Sequence, residues 1–555
     1  MTDKHPNGAF VFWSGCLLVL AASWALAQQA NNPARMGVPQ DWTQHQIIFS
    51  REGLVHHPDL VYNEPRVMHR AVQRWQRPGM QFLQGGWPPR RVSDNSMQRD
   101  WNVSLGNGRL SPNMYPAKYS FDPSLPPDCA NDYAVFGLNV GGVTNRQANL
   151  VAFNNLYAGN GGFCGAAPSV MFAYNVSSAT GGRIQTSTVL SADGKKIAFL
   201  ENVGGGTVFH VIKWTAGSGT AVNRAAAPPA FPDFTSLTVS GTAISTRSSP
   251  WVDYNTDSGY LGTDDGLIYK ILNVFKGIPT LAGAPWPVTI SPTYRLTPAV
   301  LDKNLGLLMV GSQNGVLYSI NTTTGAVKSL VIGVSGGRNP GIFAPPIVDV
   351  SNGTTFAVSA NDGPQGGVLV EVDTASMTVM AKGRLGIGSR LQGVPTVTLY
   401  QPAFSDSYFN DPSTGVVRLC GTGAATTEPW QYAFGFTGRT MNTTPVFSQQ
   451  LVTSTAARCT GWTEFFNPNV GSGGTDFFFF GLNQDCTAAG TAGGCVVARA
   501  NDNPLASLPV FTVNGGPSGI VVDNFNTTVG QASSIYFSGA GTPNTAYKLT
   551  QNGLQ

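Results

Sequence analysis

Charge is scarce in this sequence. Lys, Arg, Asp and Glu make up only 11% of its 555 residues, against about 25% in an average soluble chain. Charge-laddered helices, coiled coils and charge-rich disordered tails therefore have little to form from. Histidine is scarcer, with six residues in all. There is no CxxC pair, no CxxCH haem attachment, no HExxH helix and no GxxxxGK[ST] phosphate loop, which leaves zinc knuckles, c-type haem, zincin proteases and P-loop nucleotide chemistry without their local signatures.

Glycine, proline and aromatic residues are plentiful. The 66 Gly, 37 Pro and 10% aromatics, with 42% hydrophobic residues overall, describe many short strands joined by tight turns, with enough apolar material to fold. A chain of this length must form either several domains or one large repetitive closed fold.

Residues 1–27 stand apart. A polar start with Lys4, an apolar run from Ala9 to Leu20, and Ala25-Leu26-Ala27 ahead of Gln28-Gln29 predict a secretory signal peptide cleaved after Ala27, because the run is short for a membrane span of about 20 residues. No stable span is expected after cleavage, and the mature chain belongs in the periplasm or outside the cell. Six cysteines then remain, Cys129, Cys164, Cys420, Cys459, Cys486 and Cys495. An even count in an exported chain points to disulfides. Of 15 possible pairings, proximity favours Cys129 with Cys164, Cys420 with Cys459, and Cys486 with Cys495.

Residues 28–100 form an N-terminal segment ahead of the repetitive region. Residues 28–130 hold 11 Lys and Arg against 8 Asp and Glu, whereas residues 131–555 hold 21 of each. One amphipathic helix is predicted from Glu64 to Arg77, where Val67, Met68, Ala71, Val72 and Trp75 share a face and Pro78-Gly79 ends the run. Arg66, Arg70, Arg74 and Arg77 fall on the opposite face, expected to be solvated. His45, His56, His57 and His69 are expected to be loop and helix-surface residues.

From about residue 131 the texture becomes short apolar strands broken by Gly, Asn, Asp and Ser, and the pattern repeats. Ser249-Pro250-Trp251-Val252-Asp253 precedes Gly262-Thr263-Asp264-Asp265-Gly266-Leu267-Ile268-Tyr269. Thr297-Pro298-Ala299-Val300-Leu301-Asp302 precedes Gly311-Ser312-Gln313-Asn314-Gly315-Val316-Leu317-Tyr318. A looser copy follows from Pro345 to Asp373. The period is near 50 residues, Tyr269 and Tyr318 being 49 apart. Each unit supplies an inner strand, a second strand, a turn tolerant of positive φ, a third strand and a polar outer strand. Such a sheet must stack on copies of itself around an axis. The fold class is thus all-β, a β-propeller over residues 101–555 with eight four-stranded blades, or seven if Tyr133 to Asn175 merely completes its neighbours. The last unit, from Ser518 to Leu549, lacks room for a fourth strand, and Trp101 to Leu105 or Lys118 to Phe121 is expected to supply it.

The run Gly315-Val316-Leu317-Tyr318-Ser319-Ile320-Asn321-Thr322-Thr323-Thr324-Gly325, with Gly266-Leu267-Ile268-Tyr269 as a partial copy, resembles the third-strand signature of propellers related to pyrroloquinoline-quinone dehydrogenases. The resemblance implies the fold. Those enzymes also carry adjacent cysteines beside the quinone and docking tryptophans after the Thr-Gly turn. This sequence has no Cys-Cys pair, and Ala326-Val327-Lys328 follows Thr324-Gly325, so no quinone cofactor is expected.

Local chemistry is sparse. Asp253, Asn255 and Asp257, with Asp264 beyond, place side-chain oxygens as a calcium loop does, although the glycine falls one place later than in an EF-hand. A structural calcium ion is the one cofactor these residues suggest. His210, the sole histidine of the repetitive region, is expected on a strand face. Trp251, Trp286 and Trp430 are expected to pack between blades. The expected function is a non-catalytic binding or scaffolding module, holding a protein or glycan on the loops at one end of the channel. Two alternatives are a secreted hydrolase or lyase with carboxylates in the channel mouth, and a cell-surface structural assembly. Nucleic acid is not an expected partner of a neutral, exported propeller.

Overall fold

A computed structural model describes residues 37–51, 55, 64–67, 70 and 97–551, apart from 122–125, 205, 241–243, 292–293, 334–340, 363–365, 387–397, 424–426, 468–473, 487–491, 501–509, 525–530 and 532. The expected signal peptide and residues His56, His57, His69, Arg74 and Arg77 lie outside the described residues.

The short apolar runs form eight sheets of four or five strands, antiparallel apart from one added strand, the blades of an eight-bladed propeller. Blade 1 contains Ala117–Ser120, Tyr133–Gly137, Leu150–Asn154 and Ser169–Tyr174, so Tyr133 to Asn175 belongs to a blade of its own and the count is eight. Blade 3 begins with Trp251–Asp253 and Ser258–Gly262, blade 4 with Val300–Asp302 and Leu307–Gly311, and blade 5 with Ile347–Asp349 and Thr354–Ser359. Both faces of these sheets are apolar, and each is buried against the neighbouring blade.

The repeated residues have repeated work. Gly266 and Gly315 end the turns into the third strands with φ of 81° and 82°. A Cβ on Gly266 would lie 1.3 Å from the Ser291 carbonyl oxygen, so both backbone angle and space demand glycine. The hydroxyls of Thr297, Thr460 and Ser518 accept hydrogen bonds from the backbone N–H of Gly311, Gly481 and Ser538, which joins each inner strand's entry to its second strand. Asp302 and Asp349, ending inner strands, accept from backbone N–H groups two and three residues on, the Asx-turn that such a corner favours.

Closure is made by Met97–Ser104, the outer strand of blade 8, which pairs antiparallel with Thr545–Gln551. Of the two candidate segments, the one at Trp101 closes the ring and the one at Lys118 is the inner strand of blade 1. A bulge between Arg99 and Trp101 turns Asp100 inward, where its carboxylate accepts from Lys548 Nζ at 2.7 Å and Thr550 Oγ1 at 2.6 Å. Trp101 Nε1 donates to the Leu156 carbonyl of blade 1 at 2.8 Å. Beside it, the buried Lys118 of blade 1 meets Asp523 of blade 8 at 3.0 Å, with Tyr157 hydrogen-bonded to both.

The axis of the ring is filled by the chain's own N-terminal segment. Val38–Gln40 adds to the inner edge of blade 1 and Ile47–Ile48 adds, in parallel, to the inner edge of blade 5, on the far side of an eight-membered ring. Between them a 3₁₀ turn, Trp42–His45, is capped by Asp41. Gln40 reaches the Val522 carbonyl of blade 8 at 2.8 Å, and Asp41 accepts from Leu190 N–H of blade 2 at 3.3 Å. Trp42 packs on Trp251 of blade 3, and Phe49 on Phe409 of blade 6, with ring centroids 6.0 and 5.7 Å apart. Within the expected segment 28–100, residues 38–50 occupy the channel, and the closing strand starts at Met97.

Of the four arginines expected on a solvated face, Arg66 and Arg70 are described, and neither is solvated. Pro65, Arg66, Val67 and Arg70 are helical, but Arg66 and Arg70 are buried at 2% and 7% exposure. Arg66 stacks over Trp251 at 4.1 Å and donates to the Val252 carbonyl, while Arg70 pairs with Glu464 of blade 7 at 3.0 Å. These arginines seal one end of the channel because the planar guanidinium serves stacking and hydrogen bonding together.

Two outcomes follow from these buried charges. Lys548→Met leaves Asp100 without its cation and is expected to cost about 3–5 kcal/mol in urea unfolding, with Asp100→Leu in the same chain restoring most of it; a loss under about 1 kcal/mol would give the pair only the weight of a surface salt bridge. Burial raises the carboxyl of Asp302 to about 6 and that of Glu371 to about 7. Groups raised in the folded state give stability that is complete below their unfolded pKa and lost as pH rises through the folded one. Asp302→Asn should therefore gain on the wild type between about pH 4 and pH 7.5, by on the order of 3 kcal/mol at ~1.4 kcal/mol per pKa unit. Parallel pH profiles of the two urea midpoints would contradict the shift.

Candidate functional site

At the end of the channel away from Arg66, the segments leading into the inner strands of six blades surround a cavity of about 250 Å³, with Trp42 of the axial segment on its floor. These entries gather at one face because successive inner strands all run the same way along the axis. Pro112–Tyr115 ties the rim together. Asn113, at φ 59°, accepts from Gly461 N–H of blade 7 at 3.3 Å, the Met114 carbonyl accepts from Gly519 N–H of blade 8 at 3.0 Å, and Tyr115 N–H donates to Ser187 Oγ of blade 2 at 2.9 Å.

The wall is mixed. Met114, Leu296, Ile342 and Phe343 make it largely apolar, and its polar groups include Arg247, Arg295, Tyr400 and Asn113. No Asp, Glu or His lines it among the described residues. Arg295 Nε lies 3.5 Å from Asp264 Oδ1 at the edge of the cavity, both about 30% exposed. Arg247, half-buried, has no hydrogen bond or ion pair of its own among the described residues. Burial, and then the like charge of Arg295, hold its guanidinium below the ordinary arginine pKa, although an arginine keeps its proton regardless. Burial pushes the Tyr400 phenol up, so it stays a neutral donor.

The four residues resembling a calcium loop are divided between the two ends of the channel. Asp253 lies at the sealed end, paired with Lys303 at 3.1 Å and accepting from Thr256 Oγ1 and Asn255 N–H. Asp257 accepts from the backbone N–H groups of Phe275 and Lys276. Asp264 sits at the mouth, beyond the strand Ser258–Gly262, whose five residues span about 16 Å. Among the described residues no three His, Cys, Asp or Glu side chains gather as metal ligands.

The three cysteine pairs form as proximity suggests. Cys129–Cys164 lies within blade 1 and Cys486–Cys495 within blade 7, while Cys420–Cys459 joins blade 6 to blade 7, with Cα atoms 5.4, 6.0 and 6.3 Å apart respectively.

His210 is on a strand face, but its partners could not be foreseen. Its Nδ1 lies 2.9 Å from Ser236 Oγ and its Nε2 2.8 Å from Glu201 Oε2, the spacing of a serine–histidine–carboxylate relay. The surroundings argue against catalysis. His210 has no exposed surface and is sandwiched between Phe199 and Phe234 at 5.2 and 5.1 Å, so no leaving group can reach its ring to collect a proton. Glu201 is further held by the Ser178 hydroxyl and N–H. The set is a brace within blade 2. Trp251 and Trp286 are buried and packed against Trp42 and Tyr260, and Trp430 is half-buried.

The lining residues of this candidate site that sequence patterns missed include Trp42, Arg247 and Arg295. The arginines lie just ahead of inner strands in blades 3 and 4, 48 positions apart, so the repeat period itself was the available signal.

No protein-family model matches the chain, and no curated protein matches it. Solved structures similar to it include BamB from Moraxella catarrhalis, at 12% identity and a TM-score of 0.43 over 82% of this chain and 99% of that one. The Dos1 propeller is similar at 10% identity and 0.47, over 82% and 95%. Sqt1 from Saccharomyces cerevisiae is similar at 10% and 0.46, over 82% and 98%.

Proposed function

We propose that this chain is an exported binding or scaffolding module that receives its ligand, a peptide, protein or glycan, in the mouth above Trp42. The observation that carries this reading is the filled axis. With residues 38–50 crossing the ring, a ligand enters from one face and stops at a floor, in a concave site whose wall combines apolar surface with a few polar groups, as binding pockets do. The three disulfides suit an oxidising compartment, and with the apolar start of the sequence they support the periplasm or the cell exterior. Among the described residues no helix is long and apolar enough to cross a membrane. For a hydrolase or lyase reading the described mouth offers one carboxylate, Asp264 at its edge, and that group is paired with Arg295.

Thr398 and Met114 line the mouth and are half-exposed. Ligands found by screening the purified protein against glycans, metals and peptides should lose binding to Thr398→Trp and Met114→Trp, each of which fills the mouth, while the thermal midpoint stays at the wild-type value. Hits that bind both folded variants as well as the wild type would move the site elsewhere.

A further inference from the structure

Two cations face the cavity from adjacent blades, and the described surroundings supply one carboxylate between them. Asp264 pairs with Arg295; Arg247 feels the like charge of Arg295, partly offset by Asp264, and among the described residues it has no hydrogen-bond acceptor. A half-buried guanidinium without a partner is costly, because its five donors have given up part of their water without gaining acceptors. An arriving anion would relieve both the missing hydrogen bonds and the repulsion between the two arginines. The rest of the wall restricts which anion fits. Met114, Leu296, Ile342 and Phe343 offer apolar surface, and Tyr400 and Asn113 add neutral donors at the rim. An inorganic ion would leave that apolar wall uncovered, and a neutral hydrocarbon would bring Arg247 no acceptor.

Resting on the reading of the mouth as the binding site, we infer that its ligand presents a carboxylate to Arg247 and Arg295 and lays an apolar body against the Met114, Leu296, Ile342 and Phe343 wall. Such a group occurs on a free aryl or alkyl carboxylate and at the C-terminus of a peptide ending in an apolar residue. Asp264 competes with it for Arg295 and so sets the affinity.

The test uses the full mature chain with 1-naphthoate, 4-phenylbutyrate and a hexapeptide ending in phenylalanine, each beside its neutral amide, by calorimetry at low and moderate salt. The acids should bind more tightly than the amides, with affinity falling as salt rises. Arg247→Gln should weaken the acids by on the order of 10- to 100-fold, the range of a hydrogen bond to a charged group, and leave the amides unchanged. Asp264→Asn frees Arg295 and should tighten the acids, a gain that a merely structural role for Asp264 would not produce. Tighter binding of the peptide acid than of the small acids assigns the peptide source, and the reverse order assigns the free carboxylate. Amides binding as well as acids, with both blocked by Thr398→Trp, would overturn the carboxylate class and leave the mouth standing. Binding that Thr398→Trp does not touch, or no binding of any probe, would overturn the inference with the site.

Discussion

Everything in this molecule depends on one constraint: a sheet with two apolar faces has to be covered on both. Eight blades stacked in sequence cover one another at seven interfaces, but the first and last expose a face each until the chain's two ends meet. The strand Met97–Ser104 brings them together by completing blade 8 from the N-terminal side, and Trp101 carries the contact over into blade 1. The ionic groups at this seam, Asp100 with Lys548 and Lys118 with Asp523, are buried at some cost in desolvation. They join residues more than 400 positions apart in sequence, so the pairing is satisfied only in the closed ring.

A ring of eight creates a second problem, an axis that the inner strands do not fill. The chain solves it with its own residues 38–50, whose backbone hydrogen bonds are taken up by the free edges of blades 1 and 5. Edges that would otherwise be unpaired are thereby capped, and the channel becomes a cup with Trp42 as its floor. The arginines of the helical segment that follows work in the same direction at the far end, Arg66 stacking on Trp251 and bonding the Val252 carbonyl, Arg70 bonding the Gln44 carbonyl and Glu464. The cavity is then open at one face. Closure, filling and that cavity are successive consequences of the blade number.

What can be read along the chain and what cannot divide on physical grounds. The blade repeat is local: a hydroxyl before an inner strand, an Asp ending it and a glycine turn after the second strand each satisfy neighbours within about 20 residues, so Thr297, Asp302 and Gly315 announce their roles in one dimension. The cysteine pairs are nearly as local, the widest being 39 residues apart. Asp253 resembled a calcium ligand because Asx-turns draw on the same residue types, while Asp257 holds the backbone N–H groups of Phe275 and Lys276. His210, Ser236 and Glu201 sit in adjacent strands, yet only their burial shows that they brace the blade.

The sequence by itself determined that this protein is built of repeating four-stranded blades and that its last blade needs a strand from the other end. Turn chemistry and alternation act between near neighbours. Only the tertiary structure decided that the count is eight, that Met97–Ser104 is the closing strand, that residues 38–50 are drawn inside the ring, and that Arg247 and Arg295 face one cavity. Those outcomes depend on which distant surfaces come to share an axis, and that is set by the packing of the whole ring rather than by any stretch of the chain.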